Sequence, residues 1–140
     1  MLFRSYPNAV ELAKAVDTLI VITPGGAETK NIVNAAVLEA LGPRGVVINM
    51  ARGSCVDEAA LIRALKERTI LGAGLDVFIN EPNLNPEFLT LDNAVLLPHV
   101  GSASIPTRNK MGQLVVDNLK AYLERKPPLT PVPETPFRAW

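Results

Sequence analysis

Two side chains in this sequence have the chemistry to anchor and protonate a small acid. Arg52 lies in Asn49-Met-Ala-Arg-Gly-Ser54, directly after an apolar run, and a guanidinium there can grip a carboxylate through two parallel hydrogen bonds. His99 is the only histidine and ends Leu96-Leu97-Pro98-His99, again after an apolar run; imidazole is the side chain best suited to moving a proton near neutral pH. Two acids accompany them. Asp76 sits inside Gly74-Leu-Asp-Val-Phe78, where a carboxylate among apolar neighbours needs donors to accept from, and Glu81 precedes Pro82 in the loop beyond. Gly101-Ser-Ala-Ser104 leads into a helix start, whose amides and hydroxyls are free for a ligand. Each residue alone has an ordinary role: a surface arginine, an aspartate bonded to loop amides, a solvated glutamate, a structural histidine. Together they suit one task, in which the arginine holds a 2-keto acid by its carboxylate, the histidine gives the carbonyl oxygen its proton, and an acid orients the histidine.

These residues are useful to one another only if the fold delivers them to one place. Short apolar runs alternate with helical segments, which signals parallel βαβ units. Strands are predicted at residues 18–22, 45–49, 70–77 and 94–97, the third thinned by Gly72 and Gly74. Helices are predicted at residues 10–16, from an Asn34 cap to Leu41 with Gly42 and Pro43 as stops, and from an Asp57 cap to about Arg68 with Leu61, Ile62 and Leu65 on one face. Ser104 caps a long helix to about Glu124, with Pro106 in its first turn. Residues 80–93 form a loop rich in Pro and Asn. The fold class is therefore α/β: a partial, Rossmann-like, doubly wound parallel sheet of about four strands with flanking helices. Such sheets bind ligands at the carboxyl ends of their strands, where every residue singled out above falls.

The bulk properties narrow the classes. The chain has 140 residues, and 14 Lys plus Arg balance 14 Asp plus Glu, which gives no signature of a nucleic-acid or anionic-membrane partner. No apolar run approaches the roughly 18 residues of a membrane span, and no signal peptide is visible. A single cysteine, Cys55, excludes an intrachain disulfide; it reads as a small packing residue at a loop-to-helix junction rather than a reactive thiol. One histidine with scattered carboxylates offers no metal site.

The segments Asn49-Met-Ala-Arg-Gly-Ser54, Val56-Asp57-Glu58-Ala-Ala-Leu61, Gly72-Ala-Gly-Leu-Asp-Val-Phe78, Glu81-Pro82 and Leu97-Pro-His-Val-Gly101 resemble, in order and spacing, the signature segments of the D-isomer-specific 2-hydroxyacid dehydrogenases. The resemblance runs over about residues 6–132. It implies that Arg52, Glu81 and His99 are catalytic, that Asp76 meets the nicotinamide carboxamide, and that Thr23, Pro24, Ala51, Gly101 and Ser102 line the cofactor, NAD or NADP. Thr23-Pro-Gly-Gly26 with Thr29 is similar to the glyoxylate/hydroxypyruvate reductase branch, and Glu81 separates the chain from the related formate dehydrogenases, which carry glutamine there. The implied protein is a cytoplasmic homodimer acting on a small 2-keto acid. The family's Gly-x-Gly-x-x-Gly turn, which binds the cofactor pyrophosphate, has no counterpart in the chain, so the resemblance is to a C-terminal fragment. An inactive remnant, or a cofactor-sensing interaction module of the same family, stays open at this point.

The expected organisation is a non-native leader at residues 1–5 (Leu2-Phe-Arg-Ser5 is what a common sequencing adapter encodes), a partial cofactor-binding and catalytic domain at residues 6–126 that includes the long helix, and an extended Pro-rich tail at residues 127–140. The predicted strands resemble numbers 3, 4, 5 and 6 of the order 3-2-1-4-5-6, so the first either pairs directly with the second or leaves an open edge; direct pairing is expected.

Overall fold

The computed structural model describes residues 4–134 and 136–137. Most of the expected leader and four positions of the tail, residues 1–3, 135 and 138–140, lie outside that range. The chain divides between Gly101 and Ser102 into two compact units, the second holding the long helix and the tail.

The first unit carries α1 (Ala9–Ala13), β1 (Thr18–Val21), α2 (Ala35–Leu41), β2 (Val46–Asn49), α3 (Glu58–Lys66), β3 (Gly72–Leu75) and β4 (Ala94–Leu96). Its helices start where short polar side chains can accept an otherwise unpaired amide. Asn8 accepts from Glu11 N, Asn34 from Val37 N at 3.2 Å and Asp57 from Ala60 N at 3.0 Å. Gly42 ends α2 at φ 76°, a conformation that costs glycine little.

The four strands are parallel and lie in the order β1-β2-β3-β4. Thr18 is registered with Val46 and Val46 with Gly72, so the first strand pairs directly with the second, as expected. Every step runs the same way across the sheet.

Alternation along the strands divides the sheet into two unlike faces. The row Val21, Asn49, Leu75 turns into the core with Val47 and Ala73, against Val37, Leu38, Leu61 and Leu65 of α2 and α3. The alternate row of Ile20, Ile48, Gly74 and Val95 lies on the opposite face, where Ile20 is 57% and Val95 66% exposed.

Two segments differ from expectation. The third strand, Gly72–Leu75, is shorter than residues 70–77 at both ends, and beyond it the amides of Phe78 and Ile79 are taken by glutamate side chains. The loop at residues 80–93 contains a 3-10 helix, Pro86–Thr90, started by Asn85 accepting from Glu87 N at 3.0 Å and packing Phe88 into the core against Phe78. Asn85-Pro86 carried that signal, a capping residue followed by proline.

In the second unit, Ser104 caps α4 (Ile105–Leu123) through Thr107 N, with proline in the first turn as expected. Ala121 is its only buried residue among those described, and Leu114, Val115, Val116, Leu119 and Leu123 are exposed. The tail is tied to this helix by Asn118, which donates to Thr130 Oγ1 and accepts from Thr130 N.

Candidate active site

All four strands point the same way, so the loops that leave β1, β2, β3 and β4 emerge on one rim. Asn49, buried at the end of β2, shapes the first part of the site. Its Oδ1 accepts from Ala51 N and its Nδ2 donates to the Arg52 carbonyl, both at 3.1 Å, closing the loop that presents Arg52. Gly25, in the loop after β1, leaves room for the Arg52 stem: a Cβ there would stand 2.8 Å from Arg52 Cγ. The Arg52 side chain is exposed and donates once to the Ala51 carbonyl, at 2.6 Å, which uses one of five guanidinium N–H groups.

One residue on, Gly53 meets the loop after β3. A Cβ on Gly53 would fall 2.1 Å from the Phe78 carbonyl carbon, so the two backbones touch and only glycine fits. That loop carries Glu81, whose two oxygens do different jobs. Oε1 accepts from Phe78 N at 2.8 Å, while Oε2 lies 2.6 Å from His99 Nδ1. The His99 bond, then the Phe78 amide, hold the Glu81 carboxyl below its ordinary value of 4.5 against the opposing effects of burial and of Asp76. An ionised carboxylate only accepts, so the shared proton belongs to Nδ1 and this bond leaves Nε2 unused.

His99 itself is in the left-handed region, at φ 54°, uncommon for a side-chain-bearing residue. Asp76 holds it there. Its Oδ1 accepts from Val100 N and its Oδ2 from Gly101 N, each at 2.7 Å, so a carboxylate only 6% exposed clamps the two amides that follow the histidine. These bonds satisfy the need for partners that the sequence raised, and they leave further acceptor positions on both oxygens. Glu81 and His99 also border an apolar depression of about 320 Å³ floored by Leu84, Leu96 and Leu97.

The remaining expected residues are distributed as follows. Thr23 and Pro24 follow β1, with Thr23 Oγ1 3.6 Å from Cys55 Sγ and the Pro24 carbonyl accepting from Thr29 Oγ1 at 2.6 Å. Cys55 is fully buried at this junction, in the packing role expected of it. Ala51 is buried in the β2 loop, and Gly101 carries one of the amides that Asp76 holds. Ser102 begins the second unit, so the first unit's geometry does not include it. Glu81 is thus hydrogen-bonded to His99 and Asp76 to Gly101, and the chain segment from His99 to Gly101 joins the two pairs. Arg52 reaches the same rim on the adjacent loop, joined to Glu81's loop by the contact between Gly53 and Phe78.

Residues 3–101 match the family model described as D-isomer specific 2-hydroxyacid dehydrogenase, NAD binding domain. The chain belongs to that family. Among solved structures, it is similar to an NADPH-dependent glyoxylate/hydroxypyruvate reductase from Sinorhizobium meliloti in complex with NADP and malonate, with 61% identity, a TM-score of 0.94, and coverage of 99% of this chain and 43% of that one. It is 52% identical over 126 residues to a 2-ketogluconate reductase from Gluconobacter oxydans, covering 90% of this chain and 41% of the relative. It is 51% identical over 130 residues to a hydroxyphenylpyruvate reductase from Plectranthus scutellarioides, covering 93% and 42%. The chain therefore spans about two fifths of the length of these 2-hydroxyacid dehydrogenase relatives. As in such a domain, the described strands form one parallel sheet with helices packed against it. None of the described helices is long and apolar enough to cross a membrane.

Sequence reasoning missed two residues of this site. Gly53 and Glu58 both act on the loop after β3, Gly53 by close approach and Glu58 by accepting from Ile79 N at 2.7 Å. Both lay inside segments that had been singled out, but as neighbours of Arg52 and of the Asp57 cap.

Proposed function

We propose that the protein carrying this chain reduces a small 2-keto acid of the glyoxylate or hydroxypyruvate type to the 2-hydroxy acid, using NADH or NADPH. The observation that supports this best is the Glu81–His99 pair, with the carboxylate 2.6 Å from Nδ1 and Nε2 unused by that bond. When bound, the nicotinamide supplies the hydride that C2 of the keto acid receives. His99 Nε2 gives its proton to the carbonyl oxygen as that oxygen gains charge, and Glu81 stabilises the imidazolium from the other side. Arg52 holds the substrate carboxylate with its remaining N–H groups and helps polarise the carbonyl. The spare acceptor positions of Asp76 suit a carboxamide N–H, and Thr23, Pro24, Ala51, Gly101 and Ser102 belong to the same cofactor-lining set. The family membership also supports reading the protein as a cytoplasmic homodimer.

Steady-state reduction of glyoxylate and hydroxypyruvate by the intact protein, followed through NADPH or NADH oxidation, tests the assignment. His99→Ala is expected to lower kcat by about 100- to 10,000-fold, the usual worth of a positioned proton donor. Arg52→Ala is expected to raise KM for the keto acid strongly. Full activity in either variant defeats the reading.

A further inference from the structure

Glu81 can serve His99 only while its carboxylate stays in place, and that placement is set by a peptide group and not by the glutamate alone. Oε1 is tied to Phe78 N at 2.8 Å, so Oε2 lies where the peptide around Phe78 and Ile79 puts it. Two elements fix that peptide. Gly53 packs against its carbonyl, where a Cβ would stand 2.3 Å from the oxygen, and Glu58 Oε1 accepts from Ile79 N at 2.7 Å. Glu58 is the first residue of α3, whose start is itself fixed by the Asp57 cap and by the bridge between Val33 and Val56. Adjacent amides of one turn are thus held by two carboxylates, one reaching from a helix and one from the catalytic pair.

We infer that Glu58 is a positioning residue: it anchors the turn that carries Glu81, and through it holds the carboxylate against His99, without touching substrate or cofactor. This rests on the reading of Glu81 and His99 as the proton-transfer pair.

A titration of the Glu81 carboxyl carbon by NMR in the full chain tests it, because Glu58→Ala has opposite consequences under the two explanations. The charged groups bearing on Glu81 are His99, which lowers its pKa, and Asp76, which raises it. If Glu58 acts only as one more negative charge, its removal leaves the Glu81 midpoint unchanged or lower. If it holds the turn, its loss loosens the bonds to His99 and Phe78, and the midpoint rises toward 4.5. The rise is expected. Glu58→Gln, whose amide oxygen can still accept from Ile79 N, is expected to keep the midpoint of the unaltered chain. Asn34→Ala, which removes the cap of α2 instead, is expected to keep it as well. An unchanged or lowered midpoint in Glu58→Ala overturns the inference, as does an equal rise in Glu58→Gln or Asn34→Ala. Should the alanine variant fail to fold, hydrogen exchange at Ile79 N in the unaltered chain decides: a protected amide is expected, and an amide exchanging at the rate of an unstructured chain overturns it. None of these readouts needs a substrate, so a chain that shows the rise yet reduces no keto acid would defeat the proposed function and leave the role of Glu58 standing.

Discussion

At the scale of single residues, two carboxylates hold the histidine loop in different ways. Glu81 bonds the ring, and Asp76 bonds the two amides behind it. Removing Asp76 by substitution with alanine leaves the Val100 and Gly101 amides without those acceptors, and unpaired groups of this kind cost about 1–3 kcal/mol each where water cannot replace the partner. Both amides lie near the surface, so a total loss of about 2 kcal/mol in urea denaturation is expected, together with a His99 loop that exchanges faster. Glu81 adds a pH dependence. Its carboxyl is held below 4.5 in the folded chain, so its contribution to stability is fully present above the unfolded value and is lost as pH falls through the lowered one. The stability gap between the unaltered chain and Glu81→Gln should therefore be widest near neutral pH and shrink below about pH 4; a gap that does not change between pH 7 and pH 3 would contradict the bonds that Glu81 makes as a carboxylate. The types and strand-end positions of Arg52, Asp76, Glu81 and His99 were legible in the sequence. The resemblance already set Glu81 with His99 and gave Asp76 another role; what was not legible is the turn in which Phe78 N donates to the side chain of Glu81, a long-range consequence of where Gly53 and α3 sit.

At the scale of elements, the rim exists because each strand hands over to a loop whose backbone is taken by a side chain. Asn49 closes the loop after β2, Glu58 and Glu81 the loop after β3, and Asp76 the loop after β4. The helices were legible from their caps, since Asn34, Asp57 and Ser104 each sit one residue before an observed helix. The end of β3 was not, because Val77 and Phe78 prolong the apolar run while the acceptors that take the Phe78 and Ile79 amides come from outside the strand. Gly53 is where two of these loops meet, and no propensity scale marks it. Gly53→Ala would drive a methyl group into the Phe78 backbone, and overpacking of this kind costs about 1–3 kcal/mol. The same variant should displace Arg52 and Glu81 together, so thermal unfolding is expected to fall and keto-acid turnover with it. Asn34→Ala offers the comparison. It removes a cap bond worth about 1 kcal/mol from a helix that carries none of the site residues, and it should lower stability while leaving turnover intact.

For the molecule as a whole, the division of the sheet into two faces has a consequence for how the chain behaves in solution. One face is packed by α2 and α3. The other presents Ile20, Met50, Val95 and Leu97 to solvent around a shallow apolar basin of about 730 Å³ floored by Gly72 and Gly74. The glycines make the basin: Gly74 stands between Ile48 and Val95 in register, and with no side chain it leaves a trough between two aliphatic ridges. Nothing in the sequence hinted at this, because apolar runs look alike whether one face or two is covered. Exposed apolar surface of this extent promotes association. The isolated chain is therefore expected to bind 8-anilinonaphthalene sulfonate while still natively folded, and to self-associate with rising concentration in sedimentation velocity runs. Val95→Lys places a charge on one ridge, where the side chain is 66% exposed and its loss removes little core packing. It should lower dye fluorescence and shift the distribution toward monomer, with the midpoint of thermal unfolding nearly unchanged. If dye binding and association persist in that variant at the level of the unaltered chain, the sticky surface lies elsewhere; the exposed aliphatic residues of α4, from Leu114 to Leu123, would then be next to carry the same substitution.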